Sequence, residues 1–466
     1  MLAMSILLAA LLLAEPNAPV MSARIEREEN RLVATLSLDE PSNVWLFERS
    51  AIDWDEEQPW RPRSFEVLTP DVELRHVGHH DVLLSTDGGP VPSEVRIAVT
   101  PFTADLQRDY TPVLAFTDGT MAVYSHHFVL APVADVDTVA AMTMDRDSGP
   151  PLRRPYPTVT FCDADGVLVE GVRQRCTSVN EGRYALFGAG EPVRAGPLTA
   201  LIDEGLPAWM ADSSRDTLLA AIDYYTERFG TPVLGNPTAL IVWGGATPDR
   251  TGFGGSSLDD MLLLRFEGAA LQSPEPRWRR ALTRHLLHET AHYWIGQQVE
   301  YAASSEAWIT EGGAEYAAIR AIGDLVSPGA MQAELAGIWQ RCGEWLERGP
   351  LSTARQRGDG RAYYDCGAVV HHLLDHADSG DRYFAFWAEQ LAAMPAPTPY
   401  PLARFTTNLE TEGLATAASI IRWMNEGPIE DPQRLLAGLA ASAGLDVPVA
   451  PGDSLSAWIA PSSPTP

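Results

Sequence analysis

The hydrophobic period changes once along the chain, and that change most limits what it can fold into. Before the Gly/Pro-rich stretch GAGEPVRAGP (188–197), short apolar runs alternate with period two or are rich in β-branched and aromatic residues. RLVATLSL, NVWLFER, VRIAVTPF and MAVYSHHFVLA are the clearest, and Asp-Gly or Pro-rich turns separate several of them. After it the spacing becomes helical. DTLLAAIDYYTERFG ends on a glycine stop, TALIVWGG reads as one buried strand, and helices dominate from residue 277 onward. A chain divided this way is expected to be an α+β multidomain protein, with an antiparallel β-sandwich or saddle first and a mainly helical domain second. The expected boundaries are 19–190 for the β-rich domain, 191–448 for the helical domain and 449–466 for a frayed tail. PLRRPYP (151–157) reads as a loop, and the doublets His79-His80 and His126-His127 read as ordinary sheet residues, because strand neighbours face opposite sides.

All 34 basic residues are arginine, against 62 Asp+Glu, which leaves a net charge of −28. Such a chain repels phosphate backbones and anionic bilayers, which argues against general nucleic-acid binding. The opening run MLAMSILLAALLLA is apolar but too short to span a bilayer. We read residues 1–18 as a signal peptide without a basic n-region, cleaved after Ala14 or Ala18. The expectation is an exported protein, periplasmic or extracellular, with no stable membrane span. The four cysteines suit an oxidising compartment. Cys162 and Cys176 bracket a strand, Asp-Gly turn, strand pattern, and Cys342 and Cys366 fall in two expected helices. Two disulfides are expected, the alternative being four buried free thiols. No Cys-x-x-Cys spacing exists, so a zinc knuckle is excluded.

The chemistry concentrates in RWRRALTRHLLHETAHYWIGQQV, which contains His288-Glu289-Thr290-Ala291-His292. Residues 277–295 hold no Pro or Gly, so a helix is expected, and it puts His288 and His292 on one face a turn apart. Two imidazoles so placed suit one Zn²⁺. Glu289 stands beside the first of them and is the candidate general base. A catalytic zinc commonly takes a third protein ligand. Eighteen residues separate His292 from Glu311, which lies in SEAWITEGGAEYAAIRAI, an expected helix opened by Ser304 or Ser305 with Glu306 in its first turn. Residues 297–303 are expected to form the turn between the two helices. Glu315, four residues after Glu311, is either a second carboxylate orienting a ligand imidazole or an exposed helix glutamate. His372 and His376, also four apart, are read as structural.

HETAHYWIG followed by WITEGGAEY resembles the aminopeptidase N-like (membrane alanyl aminopeptidase) gluzincin zinc metallopeptidases. The match includes Trp294, Gly296, Trp308, Glu311 and Gly312, with Thr310 where that family usually has Asn. AYYDCGAVVHHLL resembles the family's Y-x-x-G-A helix start, which aligns Tyr364 with the tyrosine that hydrogen-bonds the tetrahedral intermediate and leaves Tyr363 as its competitor. The resemblance implies a thermolysin-like metallopeptidase domain, one Zn²⁺ on His288, His292 and Glu311, a peptide substrate, Glu289 as base and Tyr364 as oxyanion donor. The family's G-x-M-E-N strand, which pairs with the peptide and holds its free amine, is replaced by TGFGGSSLDDMLLL. Gly254 and Gly255 remain candidates for lining the cleft, while only Asp259 or Asp260 could replace the amine-binding carboxylate. The family's large C-terminal helical domain has no room in the residues that follow, so a short two-domain member is expected. An aminopeptidase-type activity leads; an endopeptidase or narrow-specificity hydrolase, or a zinc-stabilised binding protein without turnover, are the alternatives. The sequence leaves the oligomeric state open.

Overall fold

The structure is a computed structural model, and it describes residues 20–29, 31–53, 56–103, 106, 109–143, 156–232, 237–258, 261–376, 381–394 and 397–445. The expected signal peptide, most of the 151–157 loop, Asp259, Asp260 and the expected tail lie outside the described residues. The chain separates into two compact units, Met1–Glu191 and Pro192–Pro466. Among the described residues no helix is long and apolar enough to cross a membrane.

The first unit is built on two sheets. The larger runs Phe65–Val67, Glu94–Val99, Arg31–Leu38, Met21–Glu28, Thr158–Val169, Tyr184–Phe187, Met121–Tyr124 and Val113–Ala115, with Val172–Val179 also paired to Thr158–Val169. The smaller runs Leu130–Val133, Val44–Phe47, His80–Ser85 and Val72–Val77. Inward residues of both sheets, such as Ile25, Ile97 and Phe161 from one and Trp45, Phe47 and Leu83 from the other, share one apolar core. This is the β-first architecture that the period-two runs imply. Pairing is antiparallel except between Met21–Glu28 and Thr158–Val169, which run parallel.

Two local expectations change. Asp165-Gly166 is not the hairpin turn. Gly166, at φ +87°, sits in a bulge between the Cys162 and Val167 pairings, and the chain reverses at Glu170-Gly171, where both φ values are positive. The turn therefore lies one short run of strand later, yet Cys162 and Cys176 remain direct cross-strand partners and form a disulfide. His126 and His127 leave the sheet for a short 3₁₀ turn, Ser125–Phe128, where the His127 ring nitrogen Nε2 meets the Tyr110 carbonyl oxygen at 2.9 Å.

The second unit opens with a five-stranded sheet in the order Val193–Ala195, Leu198–Ile202, Thr238–Trp243, Met261–Glu267, Gly252–Leu258. Glycine-rich Gly252–Leu258, the glycine strand, is thus an edge strand. Helices follow. Ala208–Phe229 stops at Gly230, whose φ of +89° suits a residue without Cβ. Pro276–Ala291, the histidine helix, starts with a proline in its first turn. Trp308–Leu325, the glutamate helix, packs on it, and Arg361–His376, the tyrosine helix, packs on the glutamate helix. A core including Leu286, Trp294, Trp308, Val369 and Phe405 holds them. The glutamate helix begins at Trp308, later than Ser304 or Ser305, because Ser304–Glu306 forms a separate 3₁₀ turn. The 297–303 segment is more than a turn: Val299–Tyr301 pairs in parallel with Thr398–Tyr400.

Candidate active site

On the histidine helix, 3.6 residues per turn bring His288 and His292 to one face, with Nε2 atoms 3.1 Å apart. The glutamate helix brings Glu311 Oε2 to 3.5 Å from each of these nitrogens. Both imidazoles are buried. Their other nitrogens face acceptors. His292 Nδ1 donates to the Ile295 carbonyl at 2.8 Å, and His288 Nδ1 faces Glu315 Oε2 at 2.9 Å. In the neutral imidazoles, with each proton at Nδ1, both Nε2 lone pairs turn inward toward a carboxylate oxygen.

Three acceptors aimed at one point repel each other unless a cation sits among them. Zn–N and Zn–O distances of about 2.0–2.1 Å put tetrahedral ligands about 3.3–3.4 Å apart. The separations of 3.1 and 3.5 Å bracket that spacing. The donor set therefore fits Zn²⁺, and among the described residues His288, His292 and Glu311 are the one group of His, Cys, Asp and Glu so converged.

Charges around the group reinforce this. Burial opposes a charged His288, but Glu311 and Glu315 override it and push its pKa up to about 10. Burial likewise opposes a charged His292, and Glu311 wins and raises it. Burial favours a protonated Glu315, yet Arg284, which pairs with it, and His288 hold it well below the usual carboxylate range. Glu315 is thus neither exposed nor solvated, being 3 % exposed between His288 and Arg284. A metal must compete with protons at the histidines. At pH 7.5 the metal-free protein holds about one extra proton at His288, and the raised His292 can hold part of another, so zinc binding should release about one to two protons. Apparent affinity should rise with pH toward the raised His288 value and weaken as pH falls. Titration calorimetry in two buffers of different ionisation enthalpy counts these protons; zero release would contradict the arrangement.

Glu289 is buried beside the group, and the glycine strand passes directly over it. A Cβ on Gly255 would lie 2.5 Å from Glu289 Oε1, so glycine leaves the Glu289 carboxylate in its place beneath the strand, and a larger residue would push it aside. Gly254 offers its carbonyl to His285 Nε2 at 3.3 Å, while His285 Nδ1 is 3.7 Å from Glu289 Oε1. Sequence reading passed over His285. Its position at i−4 from Glu289 was the available signal.

The Tyr364 ring stands 5.2 Å from the His288 ring. Nearby Glu311, then burial, hold its hydroxyl neutral by raising its pKa well above the usual 10. Tyr363 is instead buried in the core beneath the helix. Cys366, two residues on, forms a disulfide with Cys342 of the preceding helix, Pro328–Leu346, and both cysteines are fully buried. His372 accepts a hydrogen bond from Trp339 Nε1 at 3.0 Å, apart from the converged group.

Glycines also explain how the helices meet. A Cβ on Gly312 would lie 2.2 Å from Gly367 Cα, and one on Gly367 the same distance from the Trp308 carbonyl oxygen. The glutamate and tyrosine helices therefore cross backbone to backbone, next to Glu311 and one turn past Tyr364. Gly296, at φ +133°, leaves room for His292: a Cβ there would lie 2.6 Å from Nδ1.

No protein-family model matches the sequence, and no curated protein sequence matches it. Solved structures do. An aminopeptidase N family protein from Idiomarina loihiensis superposes with a TM-score of 0.54 at 12 % identity, over 80 % of this chain and 70 % of that one. Leukotriene A4 hydrolase from Saccharomyces cerevisiae does so with a TM-score of 0.51 at 11 % identity, over 89 % and 68 %. An M1 zinc metallopeptidase from Deinococcus radiodurans is 16 % identical over 89 % of this chain and 96 % of that chain, with a TM-score of 0.49. At these identities the likeness to the first two is one of fold.

Proposed function

From a chain with the fold of an aminopeptidase N family protein, we propose a zinc-dependent peptidase of the gluzincin type that hydrolyses peptide bonds with water. The convergence of His288, His292 and Glu311 beside Glu289 and Tyr364 carries this reading. The three converged residues would hold one Zn²⁺, which when bound lowers the pKa of a water and polarises a carbonyl. The rest falls to the chain. Glu289 takes the proton from the attacking water and hands it to the leaving amine. Tyr364 donates its phenolic hydrogen to the oxyanion, an interaction gained only as charge develops. Glu315 keeps the His288 lone pair aimed inward, with Arg284 fixing Glu315 in turn. The edge position of the glycine strand lets an extended peptide add to the sheet above Glu289.

Within this reading the aminopeptidase-type activity leads, supported by the resemblance of HETAHYWIG and WITEGGAEY. The glycine strand itself favours the endopeptidase reading, because Gly255, not a carboxylate, faces Glu289. Two disulfides suit an exported protein, periplasmic or extracellular.

Chelation followed by dialysis should abolish peptide hydrolysis, and one equivalent of zinc should restore it. The same assay with free and N-acetylated peptides separates the activities, since an aminopeptidase rejects the blocked ones. Full turnover without metal would end the zinc reading.

A further inference from the structure

The Tyr364 ring touches two cationic or ligating groups. The His288 ring lies tilted beside it at 5.2 Å, and the Arg361 guanidinium lies 4.7 Å from its centroid. Arg361 is exposed and makes no ion pair among the described residues. In so acidic a chain this is unusual, and its neighbours show why it stays free. Asp365 is taken by Arg341 at 2.8 Å and by Trp345 at 2.9 Å. Asp359 is taken by Arg348 at 2.7 Å and Arg357 at 3.2 Å. Arg284 is bound to Glu315 and Glu334. A guanidinium laid against an aromatic ring keeps its N–H edge for a partner, and that edge matches a carboxylate with two parallel hydrogen bonds.

We propose that Arg361 is a specificity-determining residue that binds a carboxylate of the substrate. Resting on the peptidase reading above, this points to short peptides with an anionic group close to the scissile bond. Two sources share this chemistry: the C-terminal carboxylate of a dipeptide or tripeptide, and an acidic side chain. A polypeptide cleaved far from its C-terminus offers only the second.

The test uses the full chain carrying Glu289→Gln, loaded with zinc, so that peptides bind without being consumed. A neutral tripeptide is titrated by calorimetry as the free acid and as the C-terminal amide, alongside an amidated tripeptide ending in Asp. The free acid, or the amidated Asp peptide if the side chain is the source, should bind about tenfold more tightly than the neutral amide. Adding Arg361→Gln should bring that ratio to about one and leave the neutral amide's affinity unchanged. Equal affinities in the parent, or an equal loss for all three peptides on adding Arg361→Gln, would overturn the proposal; the latter would mean that Arg361 only seats Tyr364. Turnover of the same peptides by the unmutated zinc protein is scored separately. If it hydrolyses no peptide, the peptidase reading falls, whatever the binding ratio.

Discussion

Glu289→Gln should retain zinc and lose hydrolysis by about 10²–10⁴-fold, the usual contribution of a general acid–base group. Glutamine has nearly the same shape, and it fits under the strand where Gly255 leaves room. Glu289 is not among the three converged donors, so the metal should stay. What disappears is the ability to accept a proton from water and return it to the amine. Zinc content by elemental analysis and turnover of an unblocked peptide check the two halves independently. Undiminished turnover by a zinc-loaded variant would remove Glu289 from the mechanism. Loss of zinc along with activity would instead place its carboxylate among the ligands.

Gly367→Ala, distant from the chemistry in role but not in space, should damage both the fold and the site. The added methyl would lie 2.2 Å from the Trp308 carbonyl oxygen and 2.7 Å from Gly312 Cα. Both are backbone atoms, so no side chain can swing aside, and the glutamate and tyrosine helices must part. Overpacking of this kind costs about 1–3 kcal/mol. Glu311 and Tyr364 hang from the two sides of this crossing, so the remaining folded protein should bind zinc more weakly and turn over more slowly. Gly329→Ala is the control: it lies in the first turn of a helix, with nothing within 4 Å of the added Cβ. Thermal melting and zinc affinity measured on both variants separate a wedge from a general glycine effect. A Gly367→Ala protein as stable as the control would show that the helices do not cross this closely.

The legible parts of this protein are those written in short-range spacing. RLVATLSL becomes the strand Arg31–Leu38 because alternation is a property of neighbouring residues. His288 and His292 share a face for the same reason, at the period of a helix. Where a local signal had two outcomes, reading it alone failed. Asp165-Gly166 suits a turn or a bulge equally, and the pairing of Thr158–Val169 with three neighbouring strands chose the bulge. Ser304 and Ser305 suit a helix cap, but a 3₁₀ turn takes them and the helix starts at Trp308, where the buried indole donates to Asn425 Oδ1 at 2.9 Å.

By itself, then, the sequence determined the β-then-α order, the paired imidazoles and the neighbouring carboxylate, because each depends on backbone geometry repeating over a few residues. Only the tertiary structure decided which of Tyr363 and Tyr364 stands by His288, that Glu315 is buried between His288 and Arg284, and that Arg361 lies against the Tyr364 ring with no ion pair among the described residues. These depend on how closely separate elements approach. That distance is set at Gly312 and Gly367, where the absence of a side chain lets backbones meet, and at Gly255, which leaves room for the Glu289 carboxylate, and no periodicity announces it.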